Sequence, residues 1–479
     1  MARVTSHAGA GRHGRTFRIA GLCVVLVATS ACGVRWTKSQ RAAVIANHAA
    51  GATGSAAAPA SASGSGAAAS SGDATAAGGS TGTAAASGGS TGGSSRPGAT
   101  ATKQAATKSA LPCAAHSDVP GVTDSTITLG TISTLSGPVP GLGASSQGAA
   151  RAYVAYVNSK GGVCGRQVDL KTADDGYDAG RFRAIITDFN PKVLGIIGGL
   201  AAGDGGGAQL VTQDGLPDVG LPTSDMFSGA PVVFDVNPPY QNPHQPTKKT
   251  QYLFDHGVRT VAYVYADIDQ SRQQIAEQRA QVEATGIKVV LDLALPLSTL
   301  NYDSAARQVA NSKADYMFFL HSAGADASMA QSMRTTGYKL KFEEYLTAYG
   351  SNFIQLGGDA TNGTTSWIRT LPSEDGGAVP EQANYLEWLD RAAPGVDADT
   401  FAADSWVASK AFFDNLAALK GPITRAALVA QLKSVGTYDA GGMLGPIQLG
   451  RKLNQGCLIG MIVANGVWKR LTPDHGFLC

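Results

Sequence analysis

Three short stretches carry residue types at spacings able to do chemistry. TLSGPVPGLG (134–143) sets a serine among glycines and prolines, after the apolar run ITLGTI and before a helical pattern. Such a loop suits a phosphate, a nucleophile or a ligand cradled by backbone. GGSTG occurs twice, at Gly78–Gly82 and Gly88–Gly92, and matches the G-x-S-x-G nucleophile pattern. Asp174-Asp175 ends a predicted strand and offers paired carboxylates to a cation.

Context removes most of these readings. A phosphate loop of the G-x-x-x-x-G-K-[ST] type needs a lysine to reach the phosphates, and TLSGPVPGLG has none. The nucleophile motif needs a strand before it and a helix after it, and both GGSTG copies lie in small-residue sequence with neither. No H-E-x-x-H, C-x-x-C or pair of His at ligand spacing is present. His116, His244, His256, His321 and His475 each read as solvated or singly hydrogen-bonded. Asp174-Asp175 reads as a helix cap or a solvent-facing pair. No metal or cofactor is expected, and nothing argues for an enzyme. The polar loop residues point to binding without bond-making.

The elements that would position such loops alternate. ITLGTI (127–132) precedes a helix near 144–160, where Ala150, Tyr153, Val154 and Val157 form one apolar stripe. Strands follow at 168–173, 192–199, 216–220 and 232–236, with helices between them. A second series has strands at 260–266, 287–295, 315–320 and 343–348, again separated by helices. A strand near 364–368, helices around 381–392, 400–419 and 424–434, and a hairpin turning at Ala464-Asn465-Gly466 complete the chain. Strand–helix alternation predicts α/β architecture with parallel sheets. About 369 residues from Leu111 onward exceed one comfortable core, so two lobes are expected. In such sheets ligands bind at the carboxyl ends of strands. TLSGPVPGLG, GGLAAGDGGG (198–207), LPTSDMF (221–227) and YADIDQS (265–271) all fall there.

The front of the chain is different. The formal charge of +2 suggests no nucleic-acid partner, but it conceals an asymmetry. Residues 1–110 hold ten Lys/Arg and one acid, Asp73, and the remainder holds 28 basic and 35 acidic residues. Arg12, Arg15 and Arg18 precede IAGLCVVLVATSA, too short against the roughly 20 residues a spanning helix needs. Residues 1–32 read as a signal peptide, with Thr29-Ser30-Ala31-Cys32 resembling a bacterial lipobox. Of residues 51–110, all but seven are Ala, Gly, Ser or Thr. Such a tract has too little apolar surface to offset its ordering entropy, so 33–110 reads as a tether with a reach of roughly 50 Å. Cys113, Cys164, Cys457 and Cys479 remain in the body, enough for two disulfides in any of three pairings.

GVTDSTITLGTISTLSGPVPGLGASSQGAARAYVAYVNSKGGVCGRQVDLKTADDGYD strongly resembles the opening of leucine/isoleucine/valine-type solute-binding proteins, the type I periplasmic-binding-protein fold that feeds ABC importers. The LSGP loop, the helix ending in NxxGG, the GR before the second strand and the DDGYD after it lie in register. The likeness runs on through RTVAYVYADIDQS and ADYMFFLHSAGADASMAQSMRTTGYK to GPIQL. It implies two Rossmann-like lobes joined by a three-strand hinge, lobe 1 at 113–238 and 363–436, lobe 2 at 239–362 and 437–479. It implies closure on a small ligand and delivery to ABC permease subunits, or, alternatively, a lipid-anchored sensor of the same fold. Carried over by position, the binding residues are Leu142, Ala202 or Gly203, Thr223 and Ser224 on lobe 1, and Gln270, Ser322 and Tyr349 on lobe 2. Ser136 joins them from the TLSGPVPGLG loop. The family's ammonium-binding acid falls at Tyr349, so an ordinary branched-chain amino acid fits poorly unless Asp204 or Asp225 supplies the charge. A small polar or carboxylate-bearing ligand is expected. Within this fold Cys113 and the exit turn of the first helix share one edge, and Cys457 and Cys479 flank the terminal hairpin. The expected pairs are therefore Cys113–Cys164 and Cys457–Cys479.

The front end yields the first prediction. Cys32 carries lipid after cleavage at Ala31, because two acyl chains hold a protein at a membrane and one does so only marginally. Cys32→Ala should release the protein into the medium. Retention of that variant on membranes, with no lipid mass on the wild type, would rule the anchor out.

Overall fold

The structure is a computed structural model describing Cys113, residues 117–240, Asn242 and residues 244–479. The predicted signal, Cys32, the tether and His116 lie outside the described residues.

The first sheet has five parallel strands: β1 (Thr126–Ser133), β2 (Gln167–Asp174), β3 (Ile196–Ile197), β4 (Asp218–Gly220) and β5 (Val233–Asp235), in the order β2-β1-β3-β4-β5. The helix Ala144–Ser159 buries Ala149, Ala152, Tyr153 and Val157, residues that recur at helical spacing. Tyr153 packs edge-on against Trp406, centroids 4.7 Å apart, and stacks on Phe413 at 5.4 Å. Gly162 ends that first helical unit with φ +81°, and a Cβ there would lie 1.9 Å from Arg166 O. Only glycine fits both demands.

The second sheet begins with β6 (Thr260–Ala266), β7 (Lys288–Leu295), β8 (Tyr316–Leu320), β9 (Phe342–Tyr345) and β10 (Thr365–Ile368). After a small antiparallel sheet of β11 (Thr437–Tyr438), β12 (Ile447–Gln448) and β13 (Leu453–Asn454), the chain returns as β14 (Ile459–Ala464) and β15 (Val467–Thr472). The order is β15-β14-β10-β9-β8-β6-β7. TVAYVYA alternates across it: Val261, Tyr263 and Tyr265 enter one core, Ala262 and Val264 the other. This is the period of two that a strand covered on both faces requires. β14 and β15 are antiparallel and turn at Asn465-Gly466, both with positive φ, as a tight hairpin demands.

The expected lobe boundaries need correction. β10, expected in lobe 1, pairs with β9 and β14 inside the second sheet. Residues 437–454, expected in lobe 2, place Ala440, Met443, Leu444, Ile447 and Leu449 in the first lobe's core. The pattern of strands and helices does not reveal these pairings, because a four-residue apolar strand suits either sheet.

Three chain segments therefore cross between the lobes; the first and third bond to each other, and the second bonds to the first lobe's 443–445 segment. Asn454 N donates to Pro239 O at 2.9 Å, Leu371 N to Met443 O at 2.9 Å, and Gly445 N to Arg369 O at 2.8 Å. Two disulfides close the periphery, Cys113–Cys164 and Cys457–Cys479. The buried Arg166, from the GR motif, donates to Thr123 O, Cys113 O and Cys164 O, so this motif secures the first disulfide. Among the described residues no helix is long and apolar enough to cross a membrane.

The disulfides span 51 and 22 residues. On chain-entropy grounds the first should contribute roughly 4 kcal/mol and the second roughly 3. Urea unfolding should accordingly show a larger loss for Cys113→Ala/Cys164→Ala than for Cys457→Ala/Cys479→Ala; the reverse order would contradict it.

Candidate functional site

The carboxyl ends of both sheets face a cleft of about 580 Å³ whose floor is the crossing segments. Its position follows from parallel strands, which send every loop after a strand to the same edge. One wall carries Leu142, Leu200, Leu221 and Phe401, and the other Ile268, Leu297, Leu320 and Leu346. Trp367, Pro238 and Leu458 line the floor. The lining combines these apolar side chains with a comparable number of polar and charged ones, so the cleft offers both apolar surface and hydrogen-bonding groups to a small molecule.

Of the expected site residues, Leu142, Ala202, Thr223, Ser224, Gln270 and Ser322 line this cleft. Three do not. Ser136 is exposed and donates to Asp174 Oδ2 at 2.5 Å. Gly203 is buried, with its N–H on Asp175 Oδ2 at 2.7 Å, and a Cβ there would lie 2.7 Å from the Asp178 backbone. Tyr349 packs its ring on Trp468 and donates to Glu374 Oε2 at 2.7 Å, while Ser373 N donates to it at 2.8 Å. The segment after β9 presents Leu346 and Thr347 to the cleft instead.

DDGYD is mainly a scaffold. Asp174 accepts from Leu135 N, Ser136 N and Gly176 N as well as the Ser136 hydroxyl. Burial pushes its carboxyl up, but these four bonds together outweigh burial and hold it well below the usual range. Asp175 ties the Thr134 hydroxyl, Tyr177 N and Gly203 N into one node. Asp178 caps the helix Ala179–Phe189 through Arg181 N. The paired aspartates thus hold loop backbone, and Asp174 also faces the Arg181 guanidinium at 3.5 Å. TLSGPVPGLG is held as a wall, and it reaches the cleft through Val139 and Leu142.

Asp204 does the same for the next loop. It accepts from Thr223 N at 2.5 Å, from Ser224 N at 3.2 Å and from the Ser224 hydroxyl at 2.5 Å. Thr223 Oγ1 donates to Ala201 O at 3.1 Å. Both hydroxyl protons are thereby used inside lobe 1, and the cleft meets these oxygens as acceptors. Asp204 does not line the cleft, whereas Asp225 does, at its rim. On the other wall Gln270 and Ser322 keep uncommitted side chains.

Sequence reasoning missed the charged floor. Lys249 pairs with Glu344 at 2.6 Å, and both are buried. Arg369, Asp235, Asp404 and Glu277 line the same region, with Tyr177 and His321 on the walls. Tyr177 was already within DDGYD. Arg369 and Asp404 follow no loop motif, and only the crossing geometry brings them in. Burial pushes Asp235 and Asp404 each up to about 7, with Arg369 partly offsetting it. Among the described residues no three potential metal ligands converge.

The periplasmic binding protein family matches residues 126–461, most of the chain. The chain belongs to this family. No curated protein matches it. Among solved structures, a fatty acid ABC transporter substrate-binding protein from Thermomonospora curvata is 21% identical with a TM-score of 0.62, covering 74% of this chain and 93% of that one. The branched-chain amino acid transporter substrate-binding protein of Streptococcus pneumoniae, in complex with isoleucine, is 16% identical with a TM-score of 0.61, covering 73% and 100%. A putative branched-chain amino acid ABC transporter protein from Rhodospirillum rubrum is 21% identical with a TM-score of 0.55, covering 72% and 99%. At these identities the likeness is one of fold: α/β lobes with parallel sheets. This periplasmic binding protein therefore shares its architecture with them, and its ligand must be read from its own cleft.

Burial also raises Asp204 to about 6, Asp399 to about 7 and Asp326 to about 8. An unfolded aspartate titrates near 4. Between about pH 4 and 8 the native protein thus holds protons that the unfolded chain has released. Stability contributed this way is present at low pH and lost as pH rises through that window. The melting temperature of the unliganded protein should fall from pH 5 to pH 8 in a buffer series; a rise across it would contradict these protonation states.

Proposed function

We propose that the protein is an extracytoplasmic solute-binding lipoprotein that captures a small carboxylate-bearing ligand with an apolar body and delivers it to an ABC importer. The observation that carries this reading is the cleft between two lobes, with apolar side chains on both walls and charged groups on its floor. Capture in such a cleft needs no bond-making, only contacts from both lobes that the open state lacks. Family membership supports the role. The ligand class draws on the lining, and on relatives whose names specify a fatty acid and isoleucine, both carboxylates with apolar bodies. Ligand contact is assigned to Leu142, Ala202, Thr223 and Ser224 on one side and Gln270 and Ser322 on the other. Lipid on Cys32 and the tether would keep the body within reach of permease subunits.

Calorimetry against straight-chain fatty acids, branched-chain amino acids, sugars and amides tests this. A carboxylate with an apolar chain should bind best. A neutral hydrogen bond contributes about 1 kcal/mol, so Gln270→Ala and Ser322→Ala should each weaken it roughly fivefold without changing the melting temperature of the free protein. Preferential binding of a sugar would overturn the ligand class.

A further inference from the structure

Arg369 follows β10 at the start of the second crossing segment, and its side chain lies on the cleft floor. Its guanidinium has five donors. Nη1 reaches Pro238 O at 3.4 Å, and Tyr240 lies against its face with the ring centroid at 5.6 Å. Neither acid beside it supplies a hydrogen bond to it. Asp235 Oδ1 accepts from Asn237 N at 2.6 Å, and Asp404 Oδ1 is buried without a partner. The other cations near the floor are spent: Lys249 on Glu344, and Lys452 on the carbonyls of Ser228 and Ala230.

This leaves one guanidinium with donors to spare and a buried carboxyl with an unused oxygen, both facing the same space. The sign of the ligand follows from which groups can give up their charge. A cationic head would meet Arg369, which cannot be deprotonated in a protein. An anionic head would meet Asp235 and Asp404, which can each take up a proton, as burial already favours. With both acids neutral, Glu344 held by Lys249 and Glu277 taking Tyr240 N at 3.2 Å, Arg369 is the floor cation left to face a carboxylate.

Accepting the cleft as the ligand site, we propose that Arg369 holds the carboxylate of an alkyl monocarboxylate, with the acid form of Asp404 donating a second hydrogen bond to it. The chain then runs outward over Trp367 between Leu142 and Leu346. The charged groups facing the acids keep this arrangement selective. Asp404 is opposed by Asp235 and Asp399 and favoured by Arg369; Asp235 is opposed by Asp204 and favoured by Arg369 and Lys452. A carboxylate arriving among them should draw a proton in, so affinity should fall as pH rises through about 7. A cation would show the opposite slope.

The test is calorimetry of the whole protein with octanoate, 1-octanol and octylamine at pH 6 and pH 8. Octanoate should bind best, more tightly at pH 6, with proton uptake detected by comparing buffers of different ionisation enthalpy. Arg369→Met should weaken octanoate about tenfold or more, since a charge-assisted pair is lost, and leave octanol nearly unchanged. Arg369→Lys should restore part of the loss, and Asp404→Asn should flatten the pH slope. Octanoate binding that is indifferent to Arg369→Met, or octylamine binding better than octanoate, overturns the assignment while leaving the cleft as the site. Failure of all three probes to bind overturns the ligand class and this assignment with it.

Discussion

The three chain crossings are the constraint on which everything else rests. Each lobe has its own sheet and its own buried core, and Val379 packs against both cores. The lateral hydrogen bonds among Pro239, Arg369, Met443, Gly445 and Asn454 fix how the two sheets present their carboxyl ends. The crossings are short, and each is tied laterally by backbone hydrogen bonds. They also form the floor of the cleft, so the chain that joins the lobes is the chain that lines the space between them.

Around that floor the acids divide into two groups by their surroundings. Asp174, Asp175 and Asp178 are consecutive or nearly so, and each fixes a different stretch of backbone: the first loop, the third loop and a helix start. Asp235 and Asp404 are far apart in sequence, deeply buried, and only lightly engaged by hydrogen bonds. The first group accepts enough N–H and O–H groups to shape loops; the second keeps hydrogen-bonding capacity that the chain leaves unused.

Much of this was legible in the sequence. β6 was read at its full length because TVAYVYA is β-branched, aromatic and followed by helix-forming residues. The helix after TLSGPVPGLG was legible from the spacing of Tyr153, Val154 and Val157 and from its terminal glycines. The cleft's loop residues were legible in part: Thr223, Ser224, Gln270 and Ser322 all come to it. Tyr349 was not, because a position two residues beyond Thr347 turns its ring under the loop, and register within a loop has no periodic signal. Arg369 and β10 were not legible either. A short strand has no preference between two sheets, and Arg369 is brought to the floor by partners 76 and 131 positions away, Gly445 and Pro238.

The lobe boundary also has a kinetic meaning. The first sheet is synthesised early, but its covering helix Thr400–Ala417 comes last among the long helices. Ser405 bonds to Ser146 O and Gly198 O across 259 and 207 residues. Until that helix arrives, the apolar face around Tyr153 stays open, and closing so long a loop carries an entropy cost before any contact repays it. In the second sheet, strands β6 to β10 follow one another in the chain, and β14 and β15 complete it from the far end. A chain built this way closes its first lobe only after most of its length is made, and until then that lobe waits as an adhesive surface that only its own distant helix should cover.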